Sequence, residues 1–434
     1  MESSSITAPF AEGRSRRWKG LQGMSDQSNS DAIRAGAIRS APSPADVNGW
    51  PAVASAILLG TIGVLSFIIQ PGLVQGYVTH LGLGEAAAVD LAGIEMLGVA
   101  LATIALAMFG GRVDWRHVVL AGLGLAVVGN AGSAATQGAL FALFRFVSGL
   151  GEGTIISISF TFVGVTRRTE RNVALYLVLL LTYGAFTLWQ LPAILDAIGL
   201  PGLFAAFAAL SALAVVTVPL VPRAYHAQEM ANPEARQLSR VLLAVALAGV
   251  LAYNLAQGIA WAVLFLVGIG AGLGEQQVAD SLFLSQVVAI AGALASVFLA
   301  ARLNRNAAIA FGILVGAASI ALLEGAPSAA FFTVGVCGFN FLWNFVLPFI
   351  LGRICDFDTS GRMMSLAIAM QMTGLGGGPL LAARLIDGNG YGPVLTLCIG
   401  LFIASFLLLQ LPMRRHGALL ASTPAPAAVL SNAI

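Results

Sequence analysis

Residues 82–114 of the chain recur without a gap at residues 272–304. Gly82-Leu83-Gly84-Glu85 returns as Gly272-Leu273-Gly274-Glu275, Asp90 as Asp280, Arg112 as Arg302, and Asp114 as Asn304. A second stretch pairs Arg171 with Arg362, Leu175 with Leu366, Thr182 with Thr373 and Asp196 with Asp387. The tetrapeptide alone proves little, because Gly149-Leu150-Gly151-Glu152 spells it a third time. The spacing shared over both stretches carries the inference that one structural unit is written twice.

The unit is built for lipid. With 58% hydrophobic and 10% charged residues and a mean hydropathy of +0.88, the composition lies outside the range of soluble domains. A spanning helix needs about 20 apolar residues. Twelve such runs are read near 52–78, 86–109, 117–134, 138–165, 173–195, 199–221, 240–270, 276–301, 306–323, 328–352, 363–386 and 391–411. The expected organisation is a disordered tail over 1–49, a six-helix bundle over 50–222, a linker over 223–239, a second six-helix bundle over 240–412, and a loose tail over 413–434. Short cytoplasmic loops retain Lys and Arg. Numbered from a cytoplasmic amino terminus, every cation except Arg145 and Arg384 falls on the inner side, so both tails are expected in the cytoplasm. The expected location is the inner membrane of a bacterial cell, with the chain acting as a monomer.

Other classes find little support. Cys337, Cys355 and Cys398 are scattered without paired spacing, which suggests neither disulfides nor zinc. The net charge of +2 follows from topology and gives no reason to expect nucleic acid. No cofactor is expected. The sole Lys is Lys19, in the tail, so no phosphate-binding loop is present. His80, His117, His226 and His416 fall in loops or at span ends. The glycines Gly149, Gly151 and Gly153 follow no strand and are read as a surface for close helix packing rather than a nucleotide fingerprint.

The loop after the second span reads Gly110-Gly111-Arg112-Val113-Asp114-Trp115-Arg116, and the fourth span contains Arg145-Phe146-Val147-Ser148-Gly149-Leu150-Gly151-Glu152-Gly153. Together with the duplicated six-span unit, these motifs resemble those of the major facilitator superfamily over about residues 50–412. Trp115 stands where that family usually has Arg, and the second copy, Arg302-Leu303-Asn304-Arg305, is weaker. The resemblance implies twelve helices in two pseudo-symmetric bundles, secondary transport by alternating access, and a gate at Gly110, Arg112, Asp114, Arg116, Arg302 and Asn304. Asp114 and Asn304 have a plainer reading as helix N-caps, since each precedes an apolar run.

Ionisable groups at bilayer depth are costly and usually face a partner or a cavity. Glu95, Arg145 and Glu152 lie deepest, and the last two are two helical turns apart on one face. A carboxylate of this kind can carry a coupled proton, and Arg145 can attract an anion or simply hold helices together. The resemblance places the first, fourth, seventh and tenth spans around a central cavity. There Asn254, Gln257 and Trp261 form one stripe and Asn340, Trp343 and Asn344 another, with Gln70 and Gln371 as further candidates. Amides and indoles suit a small organic molecule with a polar end, although interhelical hydrogen bonding is the competing explanation. Pro71 and Gly72 are expected to break the first span after Gln70. The Gly-Pro signature of the family's drug antiporters is not found in the fifth span, which leans the reading toward uptake. The expected activity is proton-coupled uptake of a small organic anion, with proton-coupled efflux of drugs or metabolites as the alternative.

Overall fold

In a bilayer only a helix satisfies its own backbone hydrogen bonds within one segment, and every regular element among the described residues is helical. The computed structural model describes residues 47–109, 114–222, 235–300, 302–358, 362–386 and 390–422. The tail as far as residue 46, the loop residues Gly110 and Arg112, most of the linker and the last residues after 422 lie outside them.

The helices are α1 (Trp50–Ile62), α2 (Gln70–Leu81), α3 (Glu85–Phe109), α4 (Trp115–Ala135), α5 (Gly138–Gly164), α6 (Thr169–Leu213), α7 (Arg240–Gly270), α8 (Glu275–Leu299), α9 (Arg305–Ala321), α10 (Ala329–Cys355), α11 (Arg362–Ala383) and α12 (Gly392–Ser422). Among the described residues, nine helices are long and apolar enough to cross a membrane. The expected twelve spans are reached by joining α1 and α2 across their 48° bend, dividing the apolar segment Arg171–Leu220 at Gly199, and including the shorter α9. At Gly199 the backbone adopts φ 64° and ψ 179°, a conformation essentially confined to glycine, so one residue turns the chain between the fifth and sixth spans.

The duplicated sequence produces duplicated local geometry. Gly82 (φ 63°) and Gly272 (φ 82°) both take the left-handed conformation just before α3 and α8, which are each 25 residues long. Asp114 and Asn304 both sit in extended backbone and cap α4 and α9 through their side chains. The inter-half packing follows the same repeat. α3, whose counterpart is α8, packs on α11, and α8 packs on α6, whose first part is the counterpart of α11. Large exposed apolar residues such as Leu101, Phe186, Phe298 and Leu407 cover outer faces, as a lipid environment requires.

Three expectations change. The first span breaks over residues 63–66, before Gln70 rather than after it; Pro71 belongs to the first turn of α2, where its missing N–H costs nothing. The loose tail expected after Pro412 is helical to Ser422, with His416 fully buried against Phe357 at 5.4 Å. The end of the expected linker, at residues 235–239, is anchored by Arg236 N–H to Asp356 O at 3.0 Å and Leu238 N–H to Phe357 O at 3.1 Å.

Candidate transport site

Glycine lets α5 come close to both of its neighbours. A Cβ on Gly149 would overlap the Glu95 carbonyl, one on Gly153 the Val99 carbonyl, and one on Gly151 the backbone of α4 at Ala126. The packing reading of this Gly-x-Gly-x-Gly run therefore holds. It also brings the three deep charges together. Arg145 is 0% and Glu152 1% exposed, and Glu95 is buried beside them.

Arg145 Nη1 donates to Glu95 Oε1 at 2.9 Å and to Ser66 Oγ at 3.3 Å. Its Nη2 donates to Asn130 Oδ1 at 2.6 Å and its Nε to Ser133 Oγ at 3.0 Å. The two α4 acceptors are aimed by their own helix. Asn130 Nδ2 and the Ser133 hydroxyl each donate to the carbonyl four residues back, which leaves their lone pairs to face the guanidinium. The Phe204 ring lies 4.1 Å from the guanidinium carbon, on the second part of α6. Arg145 thus sits inside the amino-terminal half, bound to protein groups on four sides. Glu152 Oε1 accepts from Ser66 Oγ at 2.9 Å and Ser148 Oγ at 3.2 Å, and Oε2 has no hydrogen-bond partner among the described residues. With both carboxylates ionised the cluster carries one excess negative charge, which a single proton removes.

The break in the first span exposes main-chain oxygens that a continuous helix would use internally. Pro71 has no N–H for the Phe67 carbonyl four residues earlier. That oxygen accepts from the Gln70 N–H in a 3-10 turn and also from Trp261 Nε1 on α7 at 2.9 Å, a bond between the two halves. Leu65 O likewise accepts from the Tyr183 hydroxyl on α6 at 2.8 Å. The Phe67 ring meets Trp343 edge-on at 6.2 Å, and Trp343 meets Trp261 at 6.0 Å and Phe339 at 5.7 Å. Met96, Val99 and Leu375 pack against Phe67 and Trp343. Helices of both halves therefore meet in one aromatic and aliphatic cluster.

The remaining candidates divide. Asn254 Oδ1 and Gln257 Oε1, on the α7 stripe with Trp261, are buried acceptors without partners among the described residues. Gln371 is buried on α11, one turn from Leu375. Asn340 Nδ2 donates to Ser285 Oγ of α8 at 2.7 Å and Gln70 Nε2 to the Ala92 carbonyl of α3 at 3.4 Å, both contacts between helices, while Asn344 Nδ2 donates to the Asn340 carbonyl within its own helix.

The described residues of the loop motif cap and clamp helix ends, while Gly110 and Arg112 of the expected gate lie outside the described residues. Asp114 Oδ1 accepts from Arg116 N–H at 2.9 Å, and Asn304 Oδ1 from Asn306 and Ala307 N–H at 2.9 and 3.2 Å. The Arg116 side chain grips the Val221 and Pro219 carbonyls, while Arg302 is exposed. In the second half Arg305 and Arg353 both pair with Asp356 at 3.1 Å. At the opposite end the halves are tied by Gln75 to Glu275 at 3.0 Å and by Arg384 to Asp90 at 2.6 Å. Sequence reading missed Ser66, Phe67, Tyr183 and Asp356, and it missed Asn130 and Ser133. The last pair carried a signal, being two polar residues three apart on one face of an apolar helix.

Among solved structures, the nucleoside transporter NupG matches with a TM-score of 0.66 at 12% identity, covering 84% of this chain and 99% of that one. The POT family transporter PepTSo matches with a TM-score of 0.66 at 13% identity, covering 85% and 99%. The chain therefore shares the fold of these two transporters. No protein-family model matches the sequence, and no curated protein does.

Proposed function

We propose that the chain is a secondary transporter that moves a small organic solute by alternating access, with a proton carried by the Glu95–Arg145–Glu152 cluster. The observation that carries this reading is the juxtaposition of two features. A buried charge cluster that one proton neutralises lies directly behind the first-span break, and the other side of that break forms the aromatic contact between the halves.

The proposed binding surface is uncharged. Phe67, Trp261 and Trp343 provide flat apolar walls, and Asn254 Oδ1 and Gln257 Oε1 offer acceptors to a solute carrying N–H or O–H groups. An organic anion, suggested by Arg145 as the one deep cation, would have to draw the guanidinium away from Glu95, Asn130 and Ser133. The geometry favours a coupling role for Arg145 and a planar, donor-bearing solute at the interface. The proposed direction is uptake with a proton, from an outer face toward a cytoplasm that holds both termini. Efflux in exchange for protons is the rival reading, and the excess of one carboxylate in the cluster favours it for cationic solutes.

The test is purified protein in liposomes with an imposed pH gradient, assayed with radiolabelled carboxylates, nucleosides, peptides and lipophilic cations. Accumulation driven by an inward proton gradient supports uptake; expulsion supports the rival. Unchanged gradient-driven movement in Glu152→Gln removes that residue from the mechanism.

A further inference from the structure

Three consecutive residues at the break of the first span each contact a different helix. Leu65 O is held by Tyr183 of α6, the Ser66 hydroxyl by Arg145 and Glu152 of α5, and Phe67 O by Trp261 of α7. Ser66 is 1% exposed and has one hydroxyl proton, which it donates to Glu152 Oε1 while its oxygen accepts from Arg145. It is the only residue of the three whose side chain enters the charge cluster. Both of its chain neighbours have carbonyls fixed by helices that line the space between the halves.

We propose, resting on the proton-coupled reading above, that Ser66 is the positioning residue that converts the charge state of the buried carboxylates into movement of the inter-half contact. While Glu152 is ionised, the bond from Ser66 is charge-assisted and about twice as strong as a neutral one. A proton on Glu152 weakens that bond and supplies a competing O–H donor, so the hydroxyl is no longer held in one direction. Serine has one rotatable bond between its oxygen and the backbone. A change at the hydroxyl is therefore transmitted to residues 65–67, which are held by the 3-10 bonds Leu65 N–H to Ile62 O, Ile69 N–H to Ser66 O and Gln70 N–H to Phe67 O rather than by those of a continuous α-helix. The linked displacement falls on Phe67 and on the partners of its oxygen and ring, Trp261 and Trp343. The charged and titratable groups facing Glu152 are Glu95 on α3, Arg145 on its own helix, Tyr77 on α2 and Tyr183 on α6. α4 contributes Asn130 and Ser133, neither of which titrates, through Arg145.

The experiment reads conformation directly and requires no identified solute. Spin labels at His117→Cys and Arg302→Cys, both exposed and one in each half, report the separation of the halves in lipid nanodiscs. Cys337, Cys355 and Cys398 are replaced by Ala in the background. Between pH 5 and pH 8 the labelled protein is expected to change its ratio of near to far distances by about tenfold. Ser66→Ala reduces that change to about twofold, and Ser66→Thr, which keeps the hydroxyl, restores it. Trp261→Phe, which removes the Nε1 donor on the far side of the link and keeps an aromatic ring, gives a second variant with the same expectation. A full pH response in folded Ser66→Ala or Trp261→Phe overturns the link and leaves the proton reading standing. No response in the labelled parent overturns both.

Discussion

Replacing Arg145 tests whether the charge cluster holds the amino-terminal half together. Arg145→Met keeps an apolar chain and leaves Glu95 and Glu152 buried without a cation. Deleting one partner of a buried ion pair costs about 3–5 kcal/mol. The lost contact with Phe204 adds to this, at about 2 kcal/mol for a desolvated cation over a ring. The hydrogen bonds to Asn130, Ser133 and Ser66 belong to the same group and overlap with the pair energy, so the losses do not sum. The expected destabilisation is about 5 kcal/mol, near the upper end of the ion-pair range. Glu95→Gln alone should cost less, about 2 kcal/mol, because Glu152 remains to balance the guanidinium. Arg145→Met combined with Glu95→Gln and Glu152→Gln strands no charge and should recover at least half of the Arg145→Met loss, about 2–3 kcal/mol. Unfolding by SDS in mixed micelles, followed by far-ultraviolet circular dichroism, measures all three. A cost below about 1 kcal/mol for Arg145→Met, or losses that simply add in the triple variant, would refute the ledger.

Other expectations follow from single contacts. Gly149→Ala forces α3 away from α5 at the Glu95 carbonyl and should cost about 1–3 kcal/mol in the same assay. Gly124→Ala, on an open face of α4 with nothing near a new Cβ, should instead be neutral or stabilising by up to about 1 kcal/mol. Asp114→Ala and Asn304→Ala each remove an N-cap and should lower stability by about 1 kcal/mol, with the Ser variants close to native in thermal unfolding. Arg384→Ala, despite a 2.6 Å pair with Asp90, should change stability by less than about 1 kcal/mol because the Arg384 side chain is 69% exposed. A larger loss would show that this inter-half tie is shielded from solvent.

What the sequence disclosed was whatever is periodic or repeated. The spans follow from apolar runs, the glycine run of α5 from the spacing of its small residues, and the paired caps from Asp114 and Asn304 recurring at the same place in each copy. What it hid depends on partners distant in the chain. Arg145 was visibly costly, but nothing local says that Ser66, Asn130 and Glu95 converge on it from the first-span break and two other helices. Pro71 correctly marked a discontinuity in the first span, and the error lay in direction: proline removes a bond to an earlier carbonyl, so the irregular turn lies on its amino-terminal side. The helical end of α12 was hidden for another reason. Its alanines and basic residues read as solvated tail until burial of His416 against Phe357 is seen.

Gly199 has a practical implication for manipulating the molecule. Because Gly199 is the residue whose non-helical backbone joins the two crossings, their connection has no slack. Neither crossing can tilt far without pulling on the other. An affinity tag, protease site or fluorescent domain spliced at this position would pry them apart, so reporters of topology belong in the longer connections elsewhere.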